Sequence, residues 1–213
     1  PGTLQEVQAI AQQFENQQWG LQTFLEAEAT EDNIKTLSGQ HKSHILHLST
    51  HGYFFPVRQS NKLNKTDNLR DRIRFADNPL LRSGLVFTGV NHVWEGGKAI
   101  EGIEDGLLTA YEIANMDLQN TQLVALSACQ TAQGDVQNGE GVFGLQRAFK
   151  TAGVPYLLAS LWKVPDKETA QLMELFYQYY LAGAAPRIAL QKAQKEMSSQ
   201  YSPFYWAAFI LIE

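Results

Sequence analysis

Cysteine is nearly absent from this sequence of 213 residues, because it occurs only at Cys129. One thiol cannot form a disulfide within the chain, so the disulfide frameworks of small secreted domains are excluded. A lone cysteine fits a protein that works in a reducing compartment, and we therefore expect a cytoplasmic location. The same scarcity leaves one thiol free for chemistry.

Positive charge and long apolar runs are also scarce. The chain has 17 Lys and Arg against 22 Asp and Glu, a formal net charge of −5, which argues against a broad nucleic-acid-binding face. No apolar run reaches the roughly 18 residues of a membrane-spanning helix, and no signal peptide opens the chain. The sequence starts at Pro1 without Met, so we expect a fragment or a processed product.

Apolar runs and amphipathic stretches alternate along the chain. Hydrophobic residues make up 44% and charged residues 18%, as in a globular domain with a sizeable core. This alternation predicts an α/β fold with a mostly parallel sheet and helices on both faces. Thr3 and Glu6 are predicted to form a capping box, and Asp105 to cap a later helix. The sequence predicts helices at residues 3–14, 30–37, 106–114, 140–153, 166–180 and a stretch from 185. It predicts strands at residues 21–25, 45–50, 85–87, 124–127, 156–161 and 206–212. Residues 56–78 are predicted to form a surface loop.

Two of these apolar runs end in reactive residues. The run 45–50 is followed by His51 and Gly52, and the run 124–127 is followed closely by Cys129. Parallel strands end at the same edge of a sheet, where α/β folds hold their ligands, so we expect these residues to share one crevice. An imidazole beside a thiol can take its proton and create a nucleophilic thiolate. The amides of Gly52 and Cys129 are the natural donors to an oxyanion.

A less specific interpretation fits the same residues. A cysteine at a strand end is more often a small core residue than a nucleophile, and a histidine before a glycine often marks a turn. The pattern of residues leaves both interpretations open.

A series of motifs, in order along the chain, adds a family resemblance. The motifs are H-L-S-T-H-G-Y-F at 47–54, D-G-L-L-T-A-Y-E-I at 105–113, L-V-A-L-S-A-C-Q-T-A-Q-G at 123–134, G-E-G-V-F-G-L-Q-R-A-F-K-T-A-G-V at 139–154, A-S-L-W-K-V-P-D at 159–166 and F-Y-W-A-A-F-I-L-I at 204–212. Together they resemble the CHAT family of caspase-like cysteine peptidases of clan CD, related to caspases and separases and often attached to tetratricopeptide repeats. The resemblance covers nearly the whole chain.

The resemblance implies a fold, an activity and partners. The implied fold is a caspase-like three-layer sandwich, with a mostly parallel central sheet between helices. The implied activity is that of an endopeptidase in which His51 is the general base and Cys129 the nucleophile, without a cofactor. The implied partners are a protein or peptide substrate and a tetratricopeptide-repeat region or regulatory protein. The family also implies a sheet strand ahead of Pro1, which this chain lacks.

The segment after the run 156–161 is where the resemblance implies substrate specificity. Separases have a similar Trp–x–Val–x–Asp arrangement, so Asp166 is expected to contact a basic substrate residue; the alternative is an ordinary helix N-cap. Trp162 either walls the substrate groove or belongs to the core, and Ser160 is grouped with it as a substrate-binding residue. Asp135 and Glu140 are weaker candidates for the same pocket.

Other functions compete with the peptidase. His44, His47 and His51 suggest a metal site, but residues 44 and 47 point to opposite faces of a strand and no second ligand cluster appears, which disfavours zinc. The main rival is a caspase-like interaction module in which the His–Cys pair is idle. A zymogen that a partner activates, and a cysteine amidase that acts on small molecules, also fit the sequence.

Overall fold

The computed structural model describes residues 2–39, 44–55, 73, 78–91, 104–127 and 140–213. Their α-helices include α1 (Gly2–Asn16), α2 (Glu31–Lys35), α3 (Ala110–Ala114), α4 (Glu140–Thr151), α5 (Asp166–Leu181), α6 (Pro186–Met197) and α7 (Pro203–Trp206), and short 3-10 helices cover Glu26–Glu28 and Pro79–Leu81. Their strands are β1 (Ile45–Leu48), β2 (His51–Phe54), β3 (Ser83–Val86), β4 (Leu107–Thr109), β5 (Leu123–Leu126), β6 (Tyr156–Ser160) and β7 (Phe209–Ile212). No helix in these ranges is both long and apolar enough to cross a bilayer.

The main sheet has the strand order β1–β5–β6–β7. The first three strands are parallel, and β7 runs antiparallel beside β6. All four residues of β5 are buried, as expected for a central strand that is covered on both faces. The mostly parallel sheet predicted from the sequence is therefore confirmed.

Alternate side chains of the sheet enter two separate cores. Leu46, Val124 and Leu157 face a core that includes side chains of α2, α3 and α4. Leu123 and Leu158 face the opposite core, with side chains of α1, α5 and α6. Because successive residues of a strand point to opposite faces, this division gives helix, sheet and helix layers, as predicted.

A second, smaller sheet begins where β1 ends. It has the order β2–β3–β4 and is antiparallel throughout. Only Ser49 and Thr50 separate β1 from β2, so the chain passes almost directly from one sheet to the other. The alternative interpretation of His51 and Gly52 as a turn is wrong, because both residues pair with β3.

Other boundaries also differ from the predictions. The predicted helix 106–114 is a strand followed by the short α3. The N-cap of α3 is Thr109 rather than Asp105. Thr109 Oγ1 accepts from the N–H of Glu112 at 3.2 Å, and Glu112 Oε2 accepts from the N–H of Thr109 at 2.9 Å. Asp105 instead accepts from Leu107 N–H. The predicted strand 21–25 is irregular, since a strand needs a partner and none of the described strands pairs with it.

Candidate active site

The carboxyl ends of β1, β5 and β6 form one edge of the main sheet. Ser127, just after β5, donates its N–H to the C=O of Leu48, the last residue of β1, at 3.1 Å. The register pairs Leu126 with Ala159, so Ser127 is level with Ser160 at the end of β6. The predicted nucleophile, Cys129, follows Ser127 by two residues and lies outside the described residues, as does Asp135. The strand that leads to the cysteine therefore lies between β1 and β6.

His51 begins β2, directly opposite Val86 of β3, and its side chain is exposed. The two residues before it are held on both sides. Ser49 Oγ donates to the carboxylate of Glu6 at 3.1 Å, and Thr50 Oγ1 donates to the C=O of Val86. The backbone that carries the predicted base is thus tied to α1 and to β3.

The Gly52 amide is directed away from β3. Residues opposite each other in an antiparallel pair alternate between hydrogen-bonded and non-hydrogen-bonded positions. Phe55 N–H donates to Arg82 C=O at 2.8 Å, so this pair is hydrogen-bonded, and counting back along the register makes Gly52 and Leu85 a non-hydrogen-bonded pair. The N–H of Gly52 therefore points to the outer edge of β2, where the ladder with β3 does not consume it.

The predicted specificity residues follow β6. Ser160 is its last residue and is buried. The Trp162 Nε1–H donates to the C=O of Phe204 at 2.9 Å, and the Trp162 ring is half-buried against α7. Asp166 is the first residue of α5 and is exposed, while Pro165 occupies the N-cap position. The N-cap interpretation of Asp166 is therefore wrong, because the cap precedes it by one residue.

A buried polar chain beneath this edge was missed by the sequence interpretation. Glu6 is 3% exposed, and its carboxylate lies 3.0 Å from His47 Nε2 as well as 3.1 Å from Ser49 Oγ. The other ring nitrogen of His47, Nδ1, lies 3.1 Å from the Tyr177 hydroxyl. With Nε2 protonated, Tyr177 donates to His47, and both His47 and Ser49 donate to Glu6. Burial, and then the charge of Glu6, raise the pKa of Tyr177, so its hydroxyl keeps its proton.

The position of Glu6 in the sequence contained a signal for this chain. Glu6, Ile10 and Phe14 are spaced four residues apart, which puts them on one face of α1, and all three are buried. A carboxylate on a buried helix face needs hydrogen-bond donors. The predicted capping box is wrong, because α1 already includes Gly2 and the Glu6 carboxylate contacts β1 and the residue after it.

A second charged cluster surrounds Lys35 on α2. Its Nζ lies 2.7 Å from Glu31, 2.9 Å from Glu104 and 2.9 Å from Glu112. Burial lowers the pKa of Lys35, but the three carboxylates raise it by more. The carboxylates lie within 4.8 Å of one another, as metal ligands would, but the Lys35 ammonium occupies their centre and neutralises part of their charge.

An apolar groove lies along the outer edge of β1. Its volume is about 840 Å³, and residues of α1, of β1 and of the segment 19–26 line it. Three large side chains on its border, Leu4, Trp19 and Leu21, are exposed. Among the described strands, none pairs with β1 on this side.

Comparison with known proteins gives two kinds of match. The family model for the CHAT domain matches residues 1–213, the whole chain. The chain is also similar to tetratricopeptide repeat protein 28 of Homo sapiens, with 34% identity over 113 residues, 52% of this chain and 4% of that protein. It is 36% identical over 109 residues to tetratricopeptide repeat protein 28 of Mus musculus, 50% of this chain and 4% of that protein. The matched stretch therefore spans only a small part of the length of these relatives.

Proposed function

The chain belongs to the CHAT domain family, which is caspase-like, and from that premise we propose that it is a cysteine endopeptidase with His51 as general base and Cys129 as nucleophile. The observation that carries the proposal is the hydrogen bond between Ser127 and Leu48. It joins the strand ends that lead to the two residues, and each residue lies within three positions of that bond.

The chemistry follows from these residue types. His51 takes the thiol proton, and the thiolate attacks the peptide carbonyl carbon to give a tetrahedral oxyanion. The outward N–H of Gly52 supports its assignment as one oxyanion donor, with the Cys129 amide as the other. The imidazolium then protonates the leaving amine and a thioester remains. Water, deprotonated by His51, hydrolyses the thioester and releases the acid and the free thiol.

Substrate selection is proposed to occur on the β6 side of the crevice. Asp166 is exposed in the first turn of α5, where a carboxylate can meet an Arg or Lys side chain. Trp162 is proposed to form one wall of the substrate crevice, and the buried Ser160, two residues earlier, is proposed to contribute to the same pocket. Cleavage after a basic residue is the expected preference.

The setting of the domain is proposed from its relatives. Their name includes tetratricopeptide repeats, so we propose that this domain works beside such a repeat region or a regulatory protein that controls its activity. The lone thiol supports the proposal of a reducing, cytoplasmic location.

The first test is the rate of Cys129 alkylation by iodoacetamide at neutral pH. We expect fast alkylation in the native chain and slow alkylation in the His51→Ala variant, because the thiolate is then no longer stabilised by a neighbouring imidazole. His44→Ala is the matched control, since His44 lies at the other end of β1. Slow alkylation that does not depend on His51 would instead favour the idle interaction module.

The second test is peptide cleavage. The native chain, alone or with its regulatory partner, should cleave members of a peptide library, and Cys129→Ala should abolish that cleavage while near-UV circular dichroism is unchanged. Cleavage that persists in Cys129→Ala would exclude the proposed nucleophile. A highly reactive thiol with no peptide cleaved would favour the small-molecule amidase.

A positional scanning library tests Asp166. Asp166→Asn removes the charge at nearly constant shape, and we expect the preference for Arg or Lys before the cleaved bond to fall about tenfold or more, as for loss of a charged contact. Glu168→Gln is the matched control, because it removes a carboxylate from the same helical turn. An unchanged cleavage profile in Asp166→Asn would remove Asp166 from the pocket.

A further inference from the structure

Ser49 and Thr50, the two residues between β1 and β2, lie directly before His51. They are fixed by hydrogen bonds to two different elements: Ser49 to Glu6 of α1, and Thr50 to Val86 of β3. Val86 is also the residue opposite His51. The position of the imidazole therefore depends on these contacts as well as on the strand itself.

The α1 contact is part of a connected network. The Glu6 carboxylate accepts from Ser49 through one oxygen and contacts His47 through the other, and His47 is in turn bound to Tyr177 of α5. Tyr177 is fully buried, and its ring packs edge-on to His47 with centroids 5.6 Å apart. Rigid partners on both sides leave the Glu6 carboxylate little freedom, so it holds Ser49 in one place.

We propose that Glu6 and Ser49 are positioning residues for the His51 base, acting through the short connection between β1 and β2. The inference rests on the proposed function, in which His51 activates Cys129. Among the described residues the two carboxylate oxygens of Glu6 contact His47 and Ser49, and neither contacts His51. Its effect on catalysis is therefore indirect, through the backbone that carries the base.

The experiment is the pH profile of Cys129 alkylation in Ser49→Ala. This change deletes the hydroxyl that binds Glu6 and leaves the contact between Glu6 and His47 in place. We expect the rate at neutral pH to fall about tenfold, in keeping with the cost of a displaced catalytic group. The midpoint of the profile should also move up toward the ordinary thiol pKa of about 8.5. Ser49→Thr restores a hydroxyl and should recover most of the rate.

Matched variants separate positioning from a general loss of structure. Ser198→Ala deletes a hydroxyl that donates to the backbone C=O of Lys195 at 2.7 Å, in the turn after α6. The alkylation rate of this variant should equal that of the native chain. Glu6→Gln is a second variant. Its amide offers one carbonyl oxygen where the carboxylate offered two, so it cannot accept from both His47 and Ser49 in the same way. The control is Glu15→Gln, at an exposed position on the same helix. In the His51→Ala background, Ser49→Ala should cause no further loss.

Each outcome is informative. Rates that are unchanged in Ser49→Ala, or losses from Ser49→Ala and His51→Ala that simply multiply, would overturn the positioning role. A native thiol that reacts slowly and independently of His51 would overturn the proposed function instead. In that case the positioning role of Ser49 is tested by the NMR signal of the His51 imidazole. A shift or broadening of that signal in Ser49→Ala but not in Ser198→Ala would support the role. An unchanged signal in Ser49→Ala would reject the role.

Discussion

Glu31 is a carboxylate whose ionisation opposes folding. It is 1% exposed, and its Oε2 accepts from the N–H of Gly106 at 2.9 Å. Burial is the largest cause that raises its pKa to about 7 from the usual 4.5; Glu112 and Asp105 raise it further, while Lys35 opposes them. Between these two pH values the folded chain holds a proton at Glu31 that the unfolded chain has lost.

The pH dependence of stability follows from that shift. The stability that protonated Glu31 contributes is complete below about pH 4.5 and is lost as the pH rises through about 7. We expect this group alone to lower the free energy of unfolding by on the order of 2 kcal/mol between about pH 5 and about pH 8. Glu31→Gln keeps an acceptor for Gly106 and should flatten this slope, as measured by urea denaturation at several pH values.

The control for this prediction is Glu15→Gln, on an exposed part of α1, which should leave the slope as it is in the native chain. The opposite result, a slope that Glu31→Gln leaves unchanged or makes steeper, would mean that Lys35 keeps Glu31 ionised in the folded state.

At the residue scale, the sequence draws attention to residues whose signal is local. His51 and Cys129 stand out because each lies at or just after the end of an apolar run, and their roles remain predictions. The role of Glu6 was not predictable in the same way, because its partners His47 and Ser49 are about forty positions away. The buried face of α1 indicates that Glu6 needs donors, but only the packing of α1 on β1 identifies them.

At the scale of elements, the long amphipathic helices, the short α2 and the apolar strands of the main sheet were predicted, whereas β2, β4 and α7 were not. α5 and β5 are specified by their own apolar patterns. β2 has the sequence H-G-Y-F, with no alternation, and exists because β3 pairs with it. The capping box T-A-Y-E of α3 is a signal that was present in the sequence, and it marks the end of β4 correctly.

The packing of α4 on the small sheet depends on Gly144. A Cβ at this position would overlap Ser83 Oγ of β3, and Ser83 is fully buried. In the described part of the chain Ser83 Oγ has no hydrogen-bond partner, so the change Ser83→Ala breaks no hydrogen bond among the described residues. The close approach of helix and sheet thus depends on one pair of small residues.

Gly144→Ala tests this contact. We expect a loss of about 1 kcal/mol in the free energy of unfolding, because overlap in a packed core outweighs the better helix propensity of Ala. In the Ser83→Ala background most of this loss should disappear, because only the Cβ of residue 83, at 3.3 Å, then lies close to the added methyl group. Gly20→Ala is the control, since nothing lies within 4 Å of its added Cβ. Destabilisation that is equal in both backgrounds would show that Ser83 is not the obstacle.

At the scale of the whole molecule, β1 is an edge strand of the main sheet among the described residues. The C=O groups of His44 and Leu48 accept hydrogen bonds from residues beside or in line with β5. Because the backbone N–H and C=O groups of successive residues in a strand point to opposite sides, those of Ile45 and His47 point to the outer edge of β1. That edge borders the groove of about 840 Å³. The strand that the family resemblance implies ahead of Pro1 remains a prediction, and this edge is where it would pair.

Extending the chain at Pro1 by a strand-forming segment should therefore raise its thermal midpoint by several degrees, as for an added element that buries apolar surface. Hydrogen exchange at the amides of Ile45 and His47 should slow at the same time. An extension of the same composition in scrambled order is the control. Equal protection by both extensions would show that the edge does not select a paired strand.

The hydrogen bonds that link Ser49, Glu6, His47 and Tyr177 also allow an effect that runs from His51 to α1. Coupling between two parts of a protein is reciprocal: if the docking of α1 favours the active arrangement of His51, a ligand that fixes His51 must favour the docking of α1 by the same factor. Through the hydrogen bond between Glu6 and Ser49, α1 would then respond to what occupies the crevice. A substrate that fixes His51 would therefore strengthen the docking of α1, and a protein that binds α1 would in turn change the affinity for that substrate.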